Sequence, residues 1–437
     1  MLPAFNALDV AYGVAGVATF PLWRRKARGG WRERFGRGAA FPEPQRPRVL
    51  LHGVSVGEAS ALRSLVPLLT PDVDVLVSAT TDTGLSRALA LYEGQPGVIG
   101  VVRYPLDFSG AVRRFLDGVQ PDAVALTELE VWPNFVAECR RRAVPVCVIN
   151  GRLSERSFRG YRRLRRFIRP IFDSLAFAAV QDGRYAERFR ALGVRSERCH
   201  VTGNMKWDNT PIDRDPKDAE ELAANLGLDR SKPIVVGGST GPGEEAMLRK
   251  ACEGIRDVQL VCAPRKPERF EEAAAALPGC VRRSVTRERG PPSGAGPWFL
   301  LDTIGELSAL YAVADAVVMG RSFGDLHGSD PAEPAGLGKP VVIGPAIDDF
   351  RAAVAALEAA GGIVRTTRER LGVDLAELVG DEERRRVIGQ QARACVIEHQ
   401  GASQRNAELI RGILPGSRSD VDRATGSGRI REGAAAG

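Results

Sequence analysis

A glutamate at the end of an apolar run is the first residue whose position suggests catalysis. Glu58 follows Ser55 and Gly57 in a segment that links the apolar run 49–54 to the apolar helical run 61–69. Gly57 allows a tight turn from strand to helix, which would place Glu58 near the start of the helix. A carboxylate there can serve as general base toward a hydroxyl group. The alternative is a first-turn glutamate that only stabilises the helix through its dipole.

Two further carboxylates and a lysine offer polar recognition in the same half of the chain. Glu128 and Glu130 follow the apolar run 123–127, and on an extended backbone they share one face. Trp132 stands beside them. This combination suits the recognition of sugar hydroxyls, and a solvated strand end is the alternative. Lys206 ends a Gly-Asn-Met-Lys segment and can reach an anion.

The second half carries four turns whose composition suits a nucleotide. Ser239 and Thr240 lie in a glycine-rich turn after an apolar run, where backbone N–H groups can cradle a phosphate. Arg265 follows the next apolar run, and Gly305 opens a helix with free N–H groups. Glu333, in the sequence Pro-Ala-Glu-Pro, can accept both hydroxyls of a ribose. The four turns together predict a nucleotide site.

The elements that must position these residues form two sets of short β-rich runs that alternate with helical stretches. The first set starts near residue 49 and the second near residue 233. Strands that are buried on both faces and separated by helices are parallel. We therefore predict an α/β protein of two Rossmann-like, doubly wound domains with an inter-domain cleft. Ligands should bind at the carboxyl ends of strands that face this cleft.

Domain boundaries follow from these runs and from shifts in composition. The predicted segments are a membrane-associating helix and basic segment 1–40, a first Rossmann-like domain 41–210, a linker with a short helix 211–231, a second Rossmann-like domain with a closing helix 232–414 and a disordered tail 415–437. The closing helical segment is expected to cross back to the first half.

Two basic segments point to anionic surfaces. Apolar residues near the N-terminus precede a cluster of Arg and Lys at 24–28, which suits an interfacial anchor on an anionic membrane. A helix packed on the protein's own surface is the alternative. The Arg-rich segment 150–167 suits phosphate or carboxylate binding, and a solvated basic face is the alternative.

Composition excludes several classes of protein. The chain has 437 residues, 44% of them apolar, and a net charge of +7. These values exclude a disordered or polytopic membrane protein and favour anionic partners, without indicating nucleic acid. The seven Cys contain no CxxC pair and the four His no HxxxH pair, so reduced thiols and no metal site are expected. No strand is followed by GxGxxG, which excludes a Rossmann dehydrogenase.

Ten motifs, in order and with matching spacing, resemble a known enzyme family. The motifs begin at Val54 (VSVGE), Thr80 (TTDTG), Tyr104 (YPLD), Glu128 (ELEVWPN), Asn150 (NGRLSERS), Gly203 (GNMK), Ser239 (STGPGEE), Ala263 (APRKPER), Gly305 (GEL) and Asp330 (DPAEP). The sequence from about Trp23 to Arg411 is thereby similar to the 3-deoxy-D-manno-octulosonic acid (Kdo) transferases. These are inverting glycosyltransferases of lipopolysaccharide biosynthesis with the GT-B fold.

The resemblance implies a role for each candidate residue. Glu58 would deprotonate a primary hydroxyl of the glucosamine disaccharide of a lipid A precursor (lipid IVA), which would attack the anomeric carbon of CMP-Kdo. Residues implied to bind the donor are Ser239, Thr240, Arg265, Gly305, Glu306, Leu307 and Glu333. Residues implied to line the acceptor side are Ser55, Gly57, Glu128, Glu130 and Lys206. No metal or cofactor is implied, and the location implied is the cytoplasmic face of the inner membrane.

Several positions depart from the family pattern, all on the donor side. They are Gly241 and Lys266 in place of a His, Arg321 in place of a Gly, Ser329-Asp330 in place of His-Asn and Asp349 in place of an Asn. One alternative is therefore a GT-B glycosyltransferase that uses a different sugar nucleotide. Another is a non-catalytic protein that binds membrane or lipid A on the same fold, against which the intact Glu58 motif argues.

Overall fold

A computed structural model of the chain describes residues 8–10, 12–14, 29–38, 40–213, 216–291, 294 and 296–416. These residues form two compact units. One unit extends to Asn209 and resumes at Gln400, and the other runs from Thr210 to His399.

The first unit is built on a parallel sheet. Its strands are β1 Arg48–His52, β2 Asp74–Ala79, β3 Val98–Arg103, β4 Ala123–Thr127, β5 Val146–Gly151, β6 Ala178–Val180 and β7 Cys199–Val201. Their spatial order is β3-β2-β1-β4-β5-β6-β7, so the order reverses between β1 and β4. Val49 and Leu51 enter one core and Leu50 enters the core on the opposite face. Because both faces are covered, β1 and β4 are buried along their whole length.

Helices connect and cover these strands. They are α1 Trp31–Arg34, α2 Val56–Ala61, α3 Val66–Leu69, α4 Asp82–Tyr92, α5 Ser109–Val119, α6 Pro133–Arg141, α7 Glu155–Arg163, α8 Arg165–Asp173 and α9 Gly183–Leu192. Helix α5 shows the pattern that docks them. Val112, Phe115 and Leu116 recur at helical spacing and are buried against the sheet.

The second unit repeats this architecture with a different strand order. Its strands are β8 Ile234–Thr240, β9 Gln259–Pro264, β10 Val281–Arg282, β11 Trp298–Leu300, β12 Ala316–Met319, β13 Val341–Ile343 and β14 Ile363–Arg365. All neighbours are parallel, in the order β10-β11-β9-β8-β12-β13-β14. The order therefore reverses between β8 and β12. The predicted α/β class with two doubly wound domains is confirmed.

Helices cover the second sheet as well. They are α10 Pro216–Leu226, α11 Glu244–Cys252, α12 Phe270–Ala276, α13 Arg283–Arg289, α14 Leu307–Val313, α15 Ala332–Gly336, α16 Arg351–Ala359, α17 Leu371–Gly380 and α18 Glu382–His399. Helix α10 lies in the segment that the sequence assigned to a linker. Leu222 and Leu226 of α10 are buried within the second unit.

The last helix, α19 Ala402–Arg411, lies in the first unit, as expected of a closing segment that crosses back, although the predicted domain boundary at 414 included it in the second. The carboxylate of Asp208 accepts hydrogen bonds from the amides of Gly401 at 2.6 Å and Ser403 at 2.5 Å, which caps the helix. Ala407 and Ile410 then join the core that contains β1. The capping carboxylate and this apolar face hold α19 against the first sheet.

The N-terminal segment is held partly by polar contacts. Residues 8–10 and 12–14 are helical. Buried Asp9 accepts hydrogen bonds from the amide of Ser109 at 2.8 Å and from its hydroxyl at 2.5 Å. The hydroxyl of Tyr12 donates to Asp107 at 3.1 Å. These contacts dock this part of the segment on the first unit.

The remaining parts of two predicted segments lie outside the described residues. They are most of the membrane-associating segment 1–40 and the tail beyond Gly416. Among the residues that are described, no helix combines the length and the apolar character needed to cross a membrane.

Candidate active site

Glu58 lies in the first turn of α2, just beyond the carboxyl end of β1. Its carboxylate accepts hydrogen bonds from the amide of Val54 at 2.9 Å and from the hydroxyl of Ser55 at 2.9 Å. The Ser55 oxygen in turn accepts a bond from the Glu58 amide at 3.4 Å. This reciprocal arrangement caps α2, so Glu58 has the stabilising role that the sequence offered as the alternative. The same bonds fix the orientation of its carboxylate.

The tight turn before α2 depends on Gly53 rather than on Gly57. Gly57 lies inside α2, and a β-carbon there would come no closer than 3.9 Å to the Ser55 hydroxyl. A β-carbon on Gly53 would lie 3.1 Å from backbone atoms of Glu58 and Ala59. The close approach therefore occurs where the chain leaves β1, and the predicted turn role of Gly57 is wrong.

The surroundings of Glu58 make its carboxylate a stronger base. Burial raises its pKa above the ordinary value, against the opposing hydrogen bonds from Val54 and Ser55. The negative charge of Glu128 raises it further, and the positive charge of Lys206 lowers it. A carboxylate with a raised pKa accepts a proton from a hydroxyl more readily than an exposed one.

Glu128 and Glu130 follow β4, the strand next to β1. Glu128 adopts a left-handed φ of 60°, so the backbone is not extended and the predicted shared face is wrong. The turn instead brings both carboxylates within electrostatic reach of Glu58. Burial raises the pKa of Glu130 to about 7, and the charges of Glu58 and Glu128 add to this, although the indole of Trp132 donates to it at 2.8 Å.

A buried asparagine positions the lysine that faces this cluster. Asn150, at the end of β5, has a φ of 50° and is fully buried. Its side-chain oxygen accepts a hydrogen bond from the amide of Met205 at 3.0 Å. The amide of Lys206 donates to the side chain of Asn204 at 3.0 Å. Together these bonds fix the turn that carries Lys206, whose ammonium group lies within electrostatic reach of Glu58.

Glu58 and the two glutamates after β4 thus meet where the order of the first sheet reverses, the position at which open α/β sheets bind ligands. His52, the last residue of β1, is buried beneath this position. Its ring stacks on Tyr104 with 3.7 Å between centroids, and its Nδ1 lies 3.0 Å from the hydroxyl of Ser78. Burial lowers the pKa of His52 to about 3, so the imidazole is neutral at physiological pH.

Opposite changes in pH dependence are expected from Glu128→Gln and Lys206→Met. The base must be deprotonated, so kcat/KM should rise with pH through the pKa of Glu58. Removing the negative charge of Glu128 lowers that pKa and moves the acidic limb to lower pH, whereas removing the positive charge of Lys206 moves it to higher pH. Transfer rates measured from about pH 5 to about pH 9 test this. Shifts in the same direction would contradict the arrangement.

Three of the predicted donor residues of the second unit lie around Tyr311, which is buried against Gly238. Burial raises the pKa of Tyr311, and the charge of Glu333 adds to this effect. A hydrogen bond with Ser239 and the charge of Arg265 oppose it. The phenol of Tyr311 therefore lies within reach of three predicted donor residues that follow different elements of the sheet.

The side chain of Thr240 is held by a hydrogen bond within the second unit. Its hydroxyl donates to the carboxylate of buried Glu245 at 2.6 Å, and its carbonyl accepts from the amide of Arg265 at 3.1 Å. Arg269 pairs with Glu245 at 2.9 Å and so serves the turn rather than a ligand. The side chain of Arg265 is exposed and remains available to an anion.

The turn that begins α14 is held by its own ion pair. Gly305 has a φ of 95°, which favours glycine, and Leu307 starts the helix. The carboxylate of Glu306 pairs with Arg283 at 2.7 Å and accepts a bond from the hydroxyl of Thr303. Burial raises the pKa of Glu306, but the bonds from Arg283 and Thr303 outweigh this and lower it. The side chain of Glu306 thus has a structural role, and its backbone is the part that can face a phosphate.

Two departures from the family pattern are related in space. A β-carbon on Gly241 would lie 2.7 Å from Leu326 and 3.3 Å from the side chain of Arg321. Arg321 has a φ of 60°, a conformation that the glycine usual in the family adopts without strain. Arg321 therefore occupies the space beside the β8 turn that a larger side chain at position 241 would need.

Comparisons with known proteins identify the family. The family described as 3-deoxy-D-manno-octulosonic-acid transferase (kdotransferase) matches residues 29–209. A curated relative from Bordetella pertussis, named 3-deoxy-D-manno-octulosonic acid transferase, is 32% identical over 91% of this chain and 96% of its own length. The chain belongs to the Kdo transferase family. A relative of the same name from Haemophilus influenzae is 29% identical over 87% of this chain and 91% of its own length.

As a member of this family, the chain is a glycosyltransferase of lipopolysaccharide biosynthesis, as the ten motifs predicted. Solved structures agree on the fold. MurG of Acinetobacter baumannii has a TM-score of 0.52 at 15% identity, covering 84% of this chain and 99% of its own. Anabaena HepE in complex with UDP has a TM-score of 0.53 at 15% identity, covering 84% of this chain and 100% of its own. The fold of the Kdo transferase is therefore GT-B.

Sequence reasoning assigned no role to three residues that organise these sites. They are Glu244, Tyr311 and Arg283. Glu244 was visible only as one of two adjacent acidic residues after a glycine-rich turn, and Arg283 only as one of a basic pair. Across the described part of the chain, no group of three or more His, Cys, Asp or Glu side chains is arranged to hold a metal ion.

Proposed function

We propose that this Kdo transferase moves Kdo from CMP-Kdo to a primary hydroxyl of a lipid A precursor, lipid IVA, at the cytoplasmic face of the inner membrane. The observation that carries the proposal is the position of Glu58 at the reversal point of the first sheet, with Glu128, Glu130 and Lys206 in electrostatic reach. A fixed base surrounded by hydrogen-bonding groups suits a sugar hydroxyl.

The chemistry is a single displacement. Glu58 takes the proton of the acceptor hydroxyl, and the oxygen attacks the anomeric carbon of Kdo from the face opposite the phosphate. The new carbon–oxygen bond forms as the bond to the CMP oxygen breaks, and CMP leaves with the electron pair, so the configuration inverts. Arg265 is charged and exposed, which suits the phosphate that accumulates negative charge.

The ribose and the donor phosphate have distinct candidate contacts in the second unit. Glu333 lies near the phenol of Tyr311 and can accept the two ribose hydroxyls. Ser239 and the backbone at Gly305 and Leu307 offer uncharged donors to the phosphate.

A basic surface on α7, α8 and the segment just before α7 supports the membrane location. Its arginines are all exposed: Arg152, Arg156, Arg159, Arg162, Arg163, Arg165, Arg166 and Arg169. Among the described residues, Arg159 alone of these has a carboxylate within salt-bridge distance. Phe167 is 77% exposed and Leu164 is 55% exposed between them. Apolar side chains set in unpaired positive charge suit an anionic bilayer.

This surface adjoins the acceptor side of the site. The charge of Glu130 raises the pKa of Tyr161, which lies on α7 and is raised mainly by burial. Tyr161 also lies within electrostatic reach of Tyr12 in the N-terminal segment. A lipid held at this surface would therefore present its sugar headgroup near Glu130.

A transfer assay tests the function directly. Purified protein in detergent is mixed with CMP-Kdo generated in situ and a tetraacylated lipid A precursor, and mass spectrometry reads the product. A gain of one or more Kdo units supports both substrates. CMP-Kdo binding without a gain would reject the acceptor, and neither binding nor a gain would favour a different sugar nucleotide.

Vesicle binding tests the membrane surface. The double variant Leu164→Ser with Phe167→Ser should bind phosphatidylglycerol-containing vesicles about tenfold or more weakly, because two apolar side chains no longer enter the bilayer. Val373, 55% exposed in the second unit, provides a matched control as Val373→Ser. Flotation of the three proteins measures binding. Equal flotation of all three would reject this surface as the membrane contact.

A further inference from the structure

Buried Glu244 lies where three backbone N–H groups converge. One carboxylate oxygen accepts hydrogen bonds from the amides of Gly241 at 2.7 Å and Arg321 at 2.6 Å. The other accepts from the amide of Phe323 at 3.2 Å. The side chain is 3% exposed, and among the described residues no basic side chain lies within salt-bridge distance of it. Its charge is therefore balanced by backbone dipoles.

These amides belong to two separate turns. Gly241 lies in the turn after β8, and Arg321 and Phe323 lie in the turn after β12. The two strands are neighbours and flank the point where the order of the second sheet reverses. Glu244 therefore ties together the two turns that border the ligand position expected for this sheet.

Each of these two segments contains a residue in an uncommon backbone conformation. Ser239 has a φ of 55° and Arg321 a φ of 60°, and such values are uncommon for residues with a β-carbon. The turns also approach closely, since a β-carbon on Gly320 would lie 2.5 Å from the carbonyl oxygen of Ser239. A bond from each turn to one carboxylate offsets this strain.

Converging backbone N–H groups of this kind bind anions. We infer that Glu244 is a positioning residue that acts as a built-in anion: it fills an anion site between the β8 and β12 turns and thereby holds Ser239 and Thr240 in the conformation that receives the donor phosphate. The inference rests on the proposed function. Glu244 differs from the residues expected to contact the donor, because its carboxylate bonds only to backbone amides.

Glu245 makes a contrast within the same helix. Its carboxylate pairs with Arg269 at 2.9 Å and accepts from the hydroxyl of Thr240 at 2.6 Å. Removing Glu245 leaves the half-buried guanidinium of Arg269 without its carboxylate, so formate can bind there too, but that position has no bond to the β12 turn. Removing Glu244 leaves three unpaired N–H groups around an empty site, which such an ion can fill.

The experiment is chemical rescue. Glu244→Ala should raise the KM for CMP-Kdo by about tenfold or more, because three hydrogen bonds to a charged group are lost. Sodium formate should lower that KM again, beyond the effect of sodium chloride at equal ionic strength, whereas neutral formamide should not. In Glu245→Ala, formate should leave the hydrogen exchange of residues 320–324 unchanged, because Glu245 makes no bond to the β12 turn. A folded Glu244→Ala protein with a wild-type KM, or one indifferent to formate, would overturn the inference.

Two further measurements separate the possible causes of failure. Glu244→Gln retains the size of the side chain and guards against misfolding of the alanine variant. It should fold, raise the same KM and resist rescue, because its amide occupies the site. Hydrogen exchange should be faster in residues 239–243 and 320–324 of the alanine variant and slow again with formate. If hydrogen exchange in these segments is unchanged in the alanine variant, the positioning role is overturned, whichever donor the chain uses. If the wild-type protein does not bind CMP, the proposed function is overturned instead.

Discussion

Replacing Glu58 by glutamine should lower the rate of Kdo transfer by about 10²- to 10⁴-fold, the usual contribution of a general base. Glutamine keeps a carbonyl oxygen that accepts the bond from the Val54 amide, so α2 remains capped. It cannot take a proton from the acceptor hydroxyl. Transfer assayed at saturating donor and acceptor measures kcat directly, and thermal unfolding shows whether the fold is unchanged.

A second substitution separates catalysis from capping. Glu58→Ala removes both the carboxylate and the cap, so it should lower kcat about as much as glutamine does and also lower the stability of the protein by about 1 kcal/mol. Asp182 caps α9 by accepting from the amide of Tyr185 at 2.8 Å and provides a matched control. Asp182→Ala should lose similar stability and retain transfer. Near-normal transfer by Glu58→Gln would leave Glu58 as a helix cap alone.

Replacing Arg265 by alanine should raise the KM for CMP-Kdo by about 10- to 100-fold, which corresponds to one charge-assisted contact of about 1.5–3 kcal/mol. The reason is that Arg265 is exposed, follows β9 and lies near the phenol of Tyr311. The acceptor KM should stay unchanged, because the residues proposed to bind the acceptor belong to the first unit. Steady-state rates over a range of donor concentrations measure the effect.

Salt and a matched arginine test whether charge is the cause. The KM of the wild type should rise with ionic strength more steeply than that of Arg265→Ala, because the variant has lost a screened attraction. Arg256 is 95% exposed and pairs with neighbouring Asp257, so Arg256→Ala should leave the donor KM unchanged. An equal effect of both substitutions would show that net charge, and not a contact at Arg265, determines the affinity.

Continuous apolar runs made the strands predictable, because each run had to be buried on both faces. β1 and β8 lie where such runs were found. Glu58 could be located because it lies six residues after His52, the last residue of β1. The left-handed turn at Glu128 had no signal, since that conformation is usually predicted from glycine. Long-range contacts explain the other differences.

Glu244 shows why such contacts cannot be predicted from a single sequence. Its partners Arg321 and Phe323 lie 77 and 79 positions further along the chain, and only their backbone takes part. Any residue type other than proline at positions 321 and 323 could donate these backbone hydrogen bonds, so the sequence there does not predict them. Asp208 is similar, because it caps a helix 193 positions away. The sequence therefore offers candidates for substrate contact, whereas residues that hold a turn in place through its backbone have no such signal.

The second unit is one uninterrupted stretch of chain inserted between β7 and α19 of the first. This order has a consequence for folding on the ribosome. β7 ends at Val201, but α19, which completes the core around β1, begins only at Ala402. At ordinary rates of synthesis α19 is made roughly 10–40 s after β7. The unit that carries Glu58 therefore completes its core last, and a nascent chain that stalls within the second unit leaves apolar surface of the first exposed to chaperones and proteases.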